Sequence, residues 1–164
     1  MKTLTKYLVI VVFLIAIFAP LNSLGAKSNF YIGNTLTPEE TEFLNTAYKD
    51  ESRKIYFFKK VIEKFPNSTG FAKILYSEQN HASTLETVYN KYEIELPKDM
   101  DFSSVIIPST PDEACTIALK FENDNVEMYQ KFLKSVTNAF LKTVFEDLKD
   151  ITINRNIPAV EKCK

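Results

Sequence analysis

Four segments of this chain carry apolar residues at alternating steps of three and four, and this spacing restricts the possible folds more than any other feature. Such a period places the apolar side chains on one face of an α-helix. The chain has only 3 glycines and 7 prolines among 164 residues, which suits helices better than a turn-rich β fold. The predicted stripes are Leu44, Tyr48, Ile55, Phe58, Ile62 and Phe65; Phe71, Ile74, Leu85, Val88 and Tyr92; Ala114, Ala118, Phe121, Tyr129, Phe132 and Leu133; and Leu141, Phe145, Leu148, Thr152 and Ala159.

The predicted helices have recognisable starts and stops. Thr37-Pro38-Glu39-Glu40 combines a capping threonine, a proline at the first helical position and a glutamate that completes a capping box. Thr110-Pro111-Asp112-Glu113 repeats this signal for the third helix. The helices are predicted to span 37 to about 65, about 69 to 92, 110 to about 135, and from 139 onward, with Pro158 kinking or ending the last.

Residues 93–109 form a connection that contains Pro97 and Pro108 and has no clear period. Antiparallel neighbours in a bundle are usually joined by about two to eight residues. The longer link predicts a crossover along the bundle, and ferritin-like folds have one such crossover between their second and third helices. We therefore expect an all-α, ferritin-like four-helix bundle with a long crossover between helices 2 and 3.

The first 26 residues have the pattern of a secretory signal peptide. Lys2 and Lys6 precede an uncharged apolar run, and Pro20 and then Ser23-Leu24-Gly25-Ala26 supply a break and small residues for cleavage. The alternative is a retained membrane anchor, for which the run is short. We expect residues 1–26 to be the signal peptide, 27–36 a linker and 37–164 the domain, with a secreted or periplasmic location and no membrane association in the mature form.

Charge and motifs exclude several function classes. The 20 basic and 21 acidic side chains balance, whereas a nucleic-acid-binding protein normally shows a basic excess. The sequence has no Gly-x-Ser-x-Gly motif of hydrolases and no glycine-rich phosphate loop. No catalytic residue is assigned.

Every stripe is interrupted by polar residues in the middle of its helix. The interruptions are Glu51; Glu78 and His81; Glu122; and Thr152 with Arg155. Buried carboxylates are costly unless a cation or an ion-pair partner offsets them. The spacing Glu-x-x-His is the one that carboxylate-bridged di-metal bundles use. The offsetting charge is predicted to be a metal ion, Arg155 or both.

The segment from Leu36 to Lys162 resembles a prokaryotic ferritin-like family known as domain of unknown function 2202. The resemblance is most specific in Ser77-Glu78-Gln79-Asn80-His81, followed by Asn90-Lys91-Tyr92 and Leu96-Pro97. It extends to Asp50-Glu51, to Phe121-Glu122 with Gln130, and to the run from Val144 to Arg155. The resemblance implies a ferritin-like fold and a metal site formed by Glu51, Glu78, His81 and Glu122.

The chain departs from that family in its fourth helix, where Arg155 replaces a histidine of the pattern Ser-x-Asn-His. Arginine cannot ligate a metal, but its guanidinium can bridge carboxylates. We hypothesise that Arg155 takes the place of a second metal and bridges Glu122 or Glu51. One Fe, Mn or Zn ion would then bind His81, Glu78 and one of those two carboxylates.

Two further alternatives remain open at this point. The rival to a metal-binding protein, with its possible redox role, is a non-enzymatic structural or binding module. In that module Arg155 and His81 satisfy the acids without a metal. Cys115 and Cys163 are the only cysteines. In a ferritin-like order they lie close enough for a disulfide, and the alternative is two free thiols.

Overall fold

The computed structural model describes residues 35–68 and 70–163, and within them the protein is all-helical. The predicted signal peptide and most of the predicted linker lie outside the described residues. None of the helices described is both long and apolar enough to span a membrane. The helices are α1 (Pro38–Lys64), α2 (Gly70–Tyr92), α3 (Pro111–Phe132), α4 (Ala139–Ile151), a π-helical turn (Thr152–Asn156) and α5 (Ile157–Glu161).

The helices begin where the capping residues predict. The Thr37 side chain accepts a hydrogen bond from the Glu40 amide, and the Glu40 side chain accepts one from the Thr37 amide, which completes the predicted capping box. Thr110 caps α3 by accepting from the Glu113 amide, and Asn138 caps α4 by accepting from the Leu141 amide. These side chains satisfy amide groups that a helix start leaves without partners.

The four long helices enclose a common interior. α1 packs against α2 and α3, and α4 packs against α3 and α2. The connection between α2 and α3 runs beside α1. The Phe102 ring stacks on Tyr56 with ring centroids 4.9 Å apart, and Lys64 donates to the carbonyl oxygen of Pro108 over 2.7 Å. The connection thereby brings the start of α3 to the end of α1.

Two apolar clusters fill the interior, and a polar layer separates them along α1, α2 and α3. The stripe of α1 contains Leu44, Ala47, Glu51, Lys54, Phe58 and Val61, so the predicted stripe members Tyr48, Ile55 and Ile62 lie on its flank and are only partly buried. The first cluster includes Leu44, Leu85, Val88, Tyr129, Leu141, Phe145 and Leu148. The second includes Phe57, Phe58, Val61, Phe71, Ile74, Ala114, Ala118 and Val160.

The π-helical turn corrects the prediction for the last helix. Proline lacks the amide hydrogen that an α-helix needs and crowds the preceding turn. Before Pro158 the helix widens, and the Ile157 amide donates to the Thr152 carbonyl five residues back. A π turn adds a residue to the turn and so changes which side chains face inward. Asn156 and Val160 are buried, whereas the predicted inward residues Arg155 and Ala159 are exposed.

A disulfide joins Cys115, in the first turns of α3, to Cys163, just beyond α5. Their Cα atoms lie 6.1 Å apart, within the usual range for a disulfide. Of the two alternatives that the sequence leaves open, the structure has the disulfide. The bond ties the end of the chain to the start of α3.

Glu40 joins the start of α1 to the turn between α3 and α4. Its Oε1 accepts hydrogen bonds from the Thr137 amide (2.8 Å), the Asn138 amide (2.7 Å) and the Thr137 hydroxyl (3.0 Å). Its Oε2 accepts from the Thr37 amide over 2.9 Å. Burial raises the pKa of Glu40, but the backbone hydrogen bonds from Thr37, Asn138 and Thr137 outweigh it and lower the pKa from 4.5 to about 2.

We predict that Glu40→Gln lowers the free energy of unfolding by about 1–3 kcal/mol at neutral pH, because an amide accepts with one oxygen where the carboxylate accepts with two. Because the folded-state pKa of Glu40 is depressed, its contribution is complete above pH 4.5 and is lost as the pH falls toward 2. Urea unfolding of both proteins across this range should show their difference shrinking. Glu39→Gln, at an exposed position one residue away, is the control. A difference that persists unchanged at pH 2 would contradict the prediction.

Candidate metal centre

The polar layer between the two apolar clusters holds a closed group of ionisable side chains. α1 supplies Glu51 and Lys54, α2 supplies Glu78 and His81, and α3 supplies Glu122. Each of these five residues is at most 1% exposed. Glu51 and Lys54 are one helical turn apart, and so are Glu78 and His81. The five residues meet because each interrupts the apolar stripe of its helix and therefore faces the interior.

Lys54 lies at the middle of the carboxylates. Its Nζ is 2.7 Å from Glu51 Oε2 and 2.5 Å from Glu78 Oε2, and it is 4.0 Å from Glu122 Oε2. The two short distances are those of charge-assisted contacts. One ammonium group thus links the first two helices through their buried carboxylates.

His81 faces the same two carboxylate oxygens. Its Nδ1 lies 3.6 Å from Glu51 Oε2 and 3.7 Å from Glu78 Oε2. These distances are long for hydrogen bonds. They are close to the separation of about 3.4 Å between two ligands that each lie about 2.1 Å from one tetrahedral metal ion. One ligand atom from each of Glu51, Glu78 and His81 lies within 4.8 Å of the other two, so this group can hold a metal ion.

Both ring nitrogens of His81 face this space without a hydrogen-bond partner in the described part of the chain. Glu122 Oε1 shares this property, whereas Glu51 Oε2 and Glu78 Oε2 are paired with the Lys54 ammonium. Buried polar atoms normally find partners, and an orphaned atom requires an explanation such as an ion or a water. The donor set of two carboxylates and one imidazole fits a divalent transition metal.

Two buried asparagines hold the outer carboxylate oxygens in place. Asn125 Nδ2 and the Tyr129 hydroxyl donate to Glu51 Oε1 over 3.0 and 3.1 Å. Asn156 Nδ2 donates to Glu78 Oε1 over 2.7 Å and to Glu122 Oε2 over 3.4 Å. Glu51 and Glu78 therefore each keep an inner oxygen, Oε2, that faces the centre, as outer hydrogen bonds orient metal-binding carboxylates.

Further hydrogen bonds orient the asparagines themselves. The Thr152 hydroxyl donates to Asn125 Oδ1 over 3.1 Å, and the Ser77 hydroxyl donates to Asn156 Oδ1 over 2.7 Å. Both contacts require the amide oxygen to face the hydroxyl. The amide nitrogen of each asparagine is consequently directed at the carboxylates.

The pKa values of Glu51 and Glu78 are shifted in opposite directions. Burial raises the pKa of Glu51, but the Lys54 ammonium and His81 outweigh it, so the pKa lies well below 4.5. Burial also raises the pKa of Glu78, and because Glu51 and Glu122 add to this effect, the pKa lies well above 4.5 despite Lys54. Burial lowers the pKa of Lys54, but the carboxylates of Glu51, Glu78 and Glu122 hold it well above 10.5. Lys54 is therefore a permanent cation at the centre.

The structure brings most of the predicted site residues together. Glu51, Glu78 and His81 form the group described above, and Glu122 lies beside Lys54 but outside that group. Of the two carboxylates considered as the third ligand, the geometry favours Glu51. Thr152 is buried and reaches the site only through Asn125.

The structure corrects the predicted position of Arg155. It is exposed, and it forms no ion pair with Glu51 or Glu122. The hypothesis that its guanidinium bridges these acids is wrong, because the π-helical turn presents Asn156 to the interior in its place. The cation that the carboxylates require is Lys54.

Sequence reasoning missed Lys54 and Asn156. Lysine is almost never fully buried unless it is paired, so a lysine such as Lys54 is assigned to the surface by default. Its position was nevertheless readable, since it lies three residues after Glu51 and four before Phe58 in the same stripe. No such signal exists for Asn156, because its inward position depends on the π turn.

Comparison of the chain with protein-family models, curated proteins and solved structures finds no match.

We predict that Lys54→Met destabilises the protein by about 3–5 kcal/mol in the presence of a chelator, since it leaves the buried acids without their cation. Urea unfolding monitored by circular dichroism measures this change. Lys60→Met is the matched control, because Lys60 also pairs with a glutamate three residues away on α1 but lies at the surface. We expect the control to change stability little. Equal effects of the two substitutions would show that Lys54 is not the central counter-charge.

Proposed function

We propose that this protein binds a single divalent metal ion through Glu51, Glu78 and His81, beside the fixed ammonium group of Lys54. The observation that carries this proposal is the buried convergence of Glu51 Oε2, Glu78 Oε2 and His81 Nδ1, in which the imidazole has no hydrogen-bond partner in the described chain. Fe, Mn or Zn suits such a donor set. When bound, the ion would supply Lewis acidity or, for iron and manganese, redox chemistry.

The charges of the site favour one ion over two. Burial raises the pKa of Glu78, so a metal would have to displace its proton; the three ionised carboxylates and the protonated Lys54 would then carry two net negative charges in the buried interior. One divalent cation would neutralise this group, and a second would leave an excess positive charge. A net charge of either sign is costly in the buried interior of the protein.

Lys54 and the metal would share the two inner carboxylate oxygens. In two-metal sites, carboxylates bridge cations that lie about 3.5–4 Å apart. Here the ammonium nitrogen of Lys54 contacts Glu51 Oε2 and Glu78 Oε2, and His81 Nδ1 faces the same two oxygens. Lys54 would thus serve as the second cation of a site that retains one metal position.

This proposal includes a ferritin-like relationship. It is supported by the sequence resemblance to domain of unknown function 2202, by the long connection beside α1, and by carboxylates supplied from three helices. In this proposal the side chains hold, orient and shield the metal ion. We propose no reaction.

The second candidate is a structural or binding module that needs no metal. The observation that favours it is the placement of Lys54, whose Nζ lies within 2.7 Å of both central carboxylates. Lys54 takes the role that was first assigned to Arg155. In this case a proton on Glu78, whose pKa is raised by burial, would complete the charge balance.

We predict that protein refolded with excess Fe²⁺, Mn²⁺ or Zn²⁺ and then desalted retains one equivalent of at least one of these metals, measured by elemental analysis. His81→Ala and Glu51→Gln each remove a ligand and should weaken binding by about 100-fold or more, since even substitutions of outer residues cost about 10- to 100-fold. Glu127→Gln, at an exposed position of α3, should bind as the unaltered protein does.

The two candidates give different results in this experiment. Retention of one equivalent that depends on His81 supports the metal site. If the stably folded protein retains none of the three metals, the metal site is rejected in favour of the metal-free module. Retention that survives both His81→Ala and Glu51→Gln would place the ion elsewhere.

We further propose that the protein is exported. The basic and apolar start of the chain and the Cys115–Cys163 disulfide support this, since disulfides persist in oxidising compartments. Protein recovered outside its host cells should begin at or after Lys27 by N-terminal sequencing and, when denatured without reductant, should show no free thiols. A mature chain that retains residues 1–26 would contradict cleavage, and two free thiols would contradict an oxidising destination.

A further inference from the structure

The candidate metal centre is closed, so an ion reaches it only when side chains move. Glu51 and Glu78 are fully buried and His81 is 1% exposed. Polar side chains that connect solvent to these ligands are the natural path, because a divalent cation crosses an apolar wall only at a high cost in free energy. Two such connections exist among the described residues, one through Asp50 and one through Ser77.

Asp50 lies at the inner end of a surface pocket. The pocket has a volume of about 290 Å³, and its lining includes Asp50, Arg53, Asp99, Asp101 and Phe102. The side chain of Asp50 is 14% exposed, and its Oδ1 pairs with the Arg53 guanidinium. Arg53 is itself 37% exposed and lies over the Phe121 ring at 4.5 Å from its centroid. A carboxylate is thus available from the pocket once Arg53 moves aside.

A single amide nitrogen separates this carboxylate from the candidate ligand Glu51. Asn125 Nδ2 donates to Asp50 Oδ2 and to Glu51 Oε1, over 3.0 Å in each case. Asn125 is fully buried, and its amide nitrogen links the partly exposed Asp50 to the buried Glu51. Rotation of one side chain would therefore expose Glu51 to a cation held by Asp50.

We propose that divalent cations enter and leave the candidate metal centre through this pocket, passing from Asp50 to Glu51 past Asn125, with Arg53 as a competing cation that restricts access. This inference rests on the proposed metal-binding function. The path through Ser77 and Asn156 is the less suitable one, because the residue nearest the surface is a neutral hydroxyl. A carboxylate attracts and partly dehydrates a divalent cation, and a hydroxyl does so only weakly.

The test compares rates with affinity, using Zn²⁺ as the probe. Binding is followed by stopped-flow competition with a chromophoric chelator, release by transfer to excess chelator, and Kd by equilibrium competition. Asp50→Asn should slow both binding and release by about 10-fold or more, at the lower end of electrostatic effects on association rates. Because a path affects both directions alike, Kd should change by a much smaller factor.

Two further variants sharpen the test. Arg53→Gln removes the competing cation and should accelerate binding, the opposite sign from Asp50→Asn. Asp124→Asn removes the same charge from a half-buried surface position beside Asn125, where Asp124 pairs with Lys120, and should leave the rates unchanged. Circular dichroism and thermal unfolding establish that each variant is folded, and the opposite sign of Arg53→Gln keeps the test informative if Asp50→Asn proves unstable.

The outcomes separate this inference from the proposed function. Equilibrium binding to the unaltered protein is measured first, and its absence overturns both. Normal Kd with rates unaffected by Asp50→Asn and Arg53→Gln overturns the path alone, as does a slowing caused by Ser77→Ala. A loss of affinity without slower release would make Asp50 a structural support for Glu51 and would likewise overturn the path.

Discussion

The placement of Lys54 among three buried carboxylates is the constraint on which the interior of this protein depends. An ammonium group and carboxylates at this depth each carry a large desolvation cost, and only their mutual attraction offsets it. The two apolar clusters on either side supply hydrophobic stabilisation, but they would favour an apolar residue at every position between them. The polar layer is therefore a cost that the fold carries, and buried polar groups of this kind are typical of functional sites.

The hydrogen bonds around the group show how that cost is contained. Asn125 and Asn156 donate to the outer oxygens of the acids, and each asparagine is oriented by a hydroxyl from another helix. Glu51 Oε1 and Glu78 Oε1 are thus satisfied, while their Oε2 atoms depend on Lys54 and the ring nitrogens of His81 have no hydrogen-bond partner among the described residues. A network that served stability alone would be more stable with every member satisfied. The unpartnered imidazole beside two carboxylates that share one ammonium group is the feature that favours a binding site over a purely structural ion-pair network.

The sequence was sufficient for the helices and for most of the site, and its failures have physical causes. Apolar spacing and capping residues predicted the four long helices, and the interruptions of the stripes located Glu51, Glu78, His81 and Glu122, because both features depend on the α-helical period. Arg155 was misplaced because the prediction continued that period through residues 152–156, where the helix widens. Lys54 was overlooked because its residue type favours solvent, although its position in the stripe was visible.

The exchange of Arg155 for Lys54 changes how the centre should be understood. An arginine on the surface of the fourth helix could move into solvent. The carboxylates would then be free to bind two metal ions. Lys54 is on α1 within one turn of Glu51, and it is fully buried, so it has no solvent-exposed alternative without disruption of the core. Its charge is therefore a fixed part of the site. Any cation that binds beside it must accommodate that charge, and on the proposed path the cation would pass Asp50 and Asn125 to reach it.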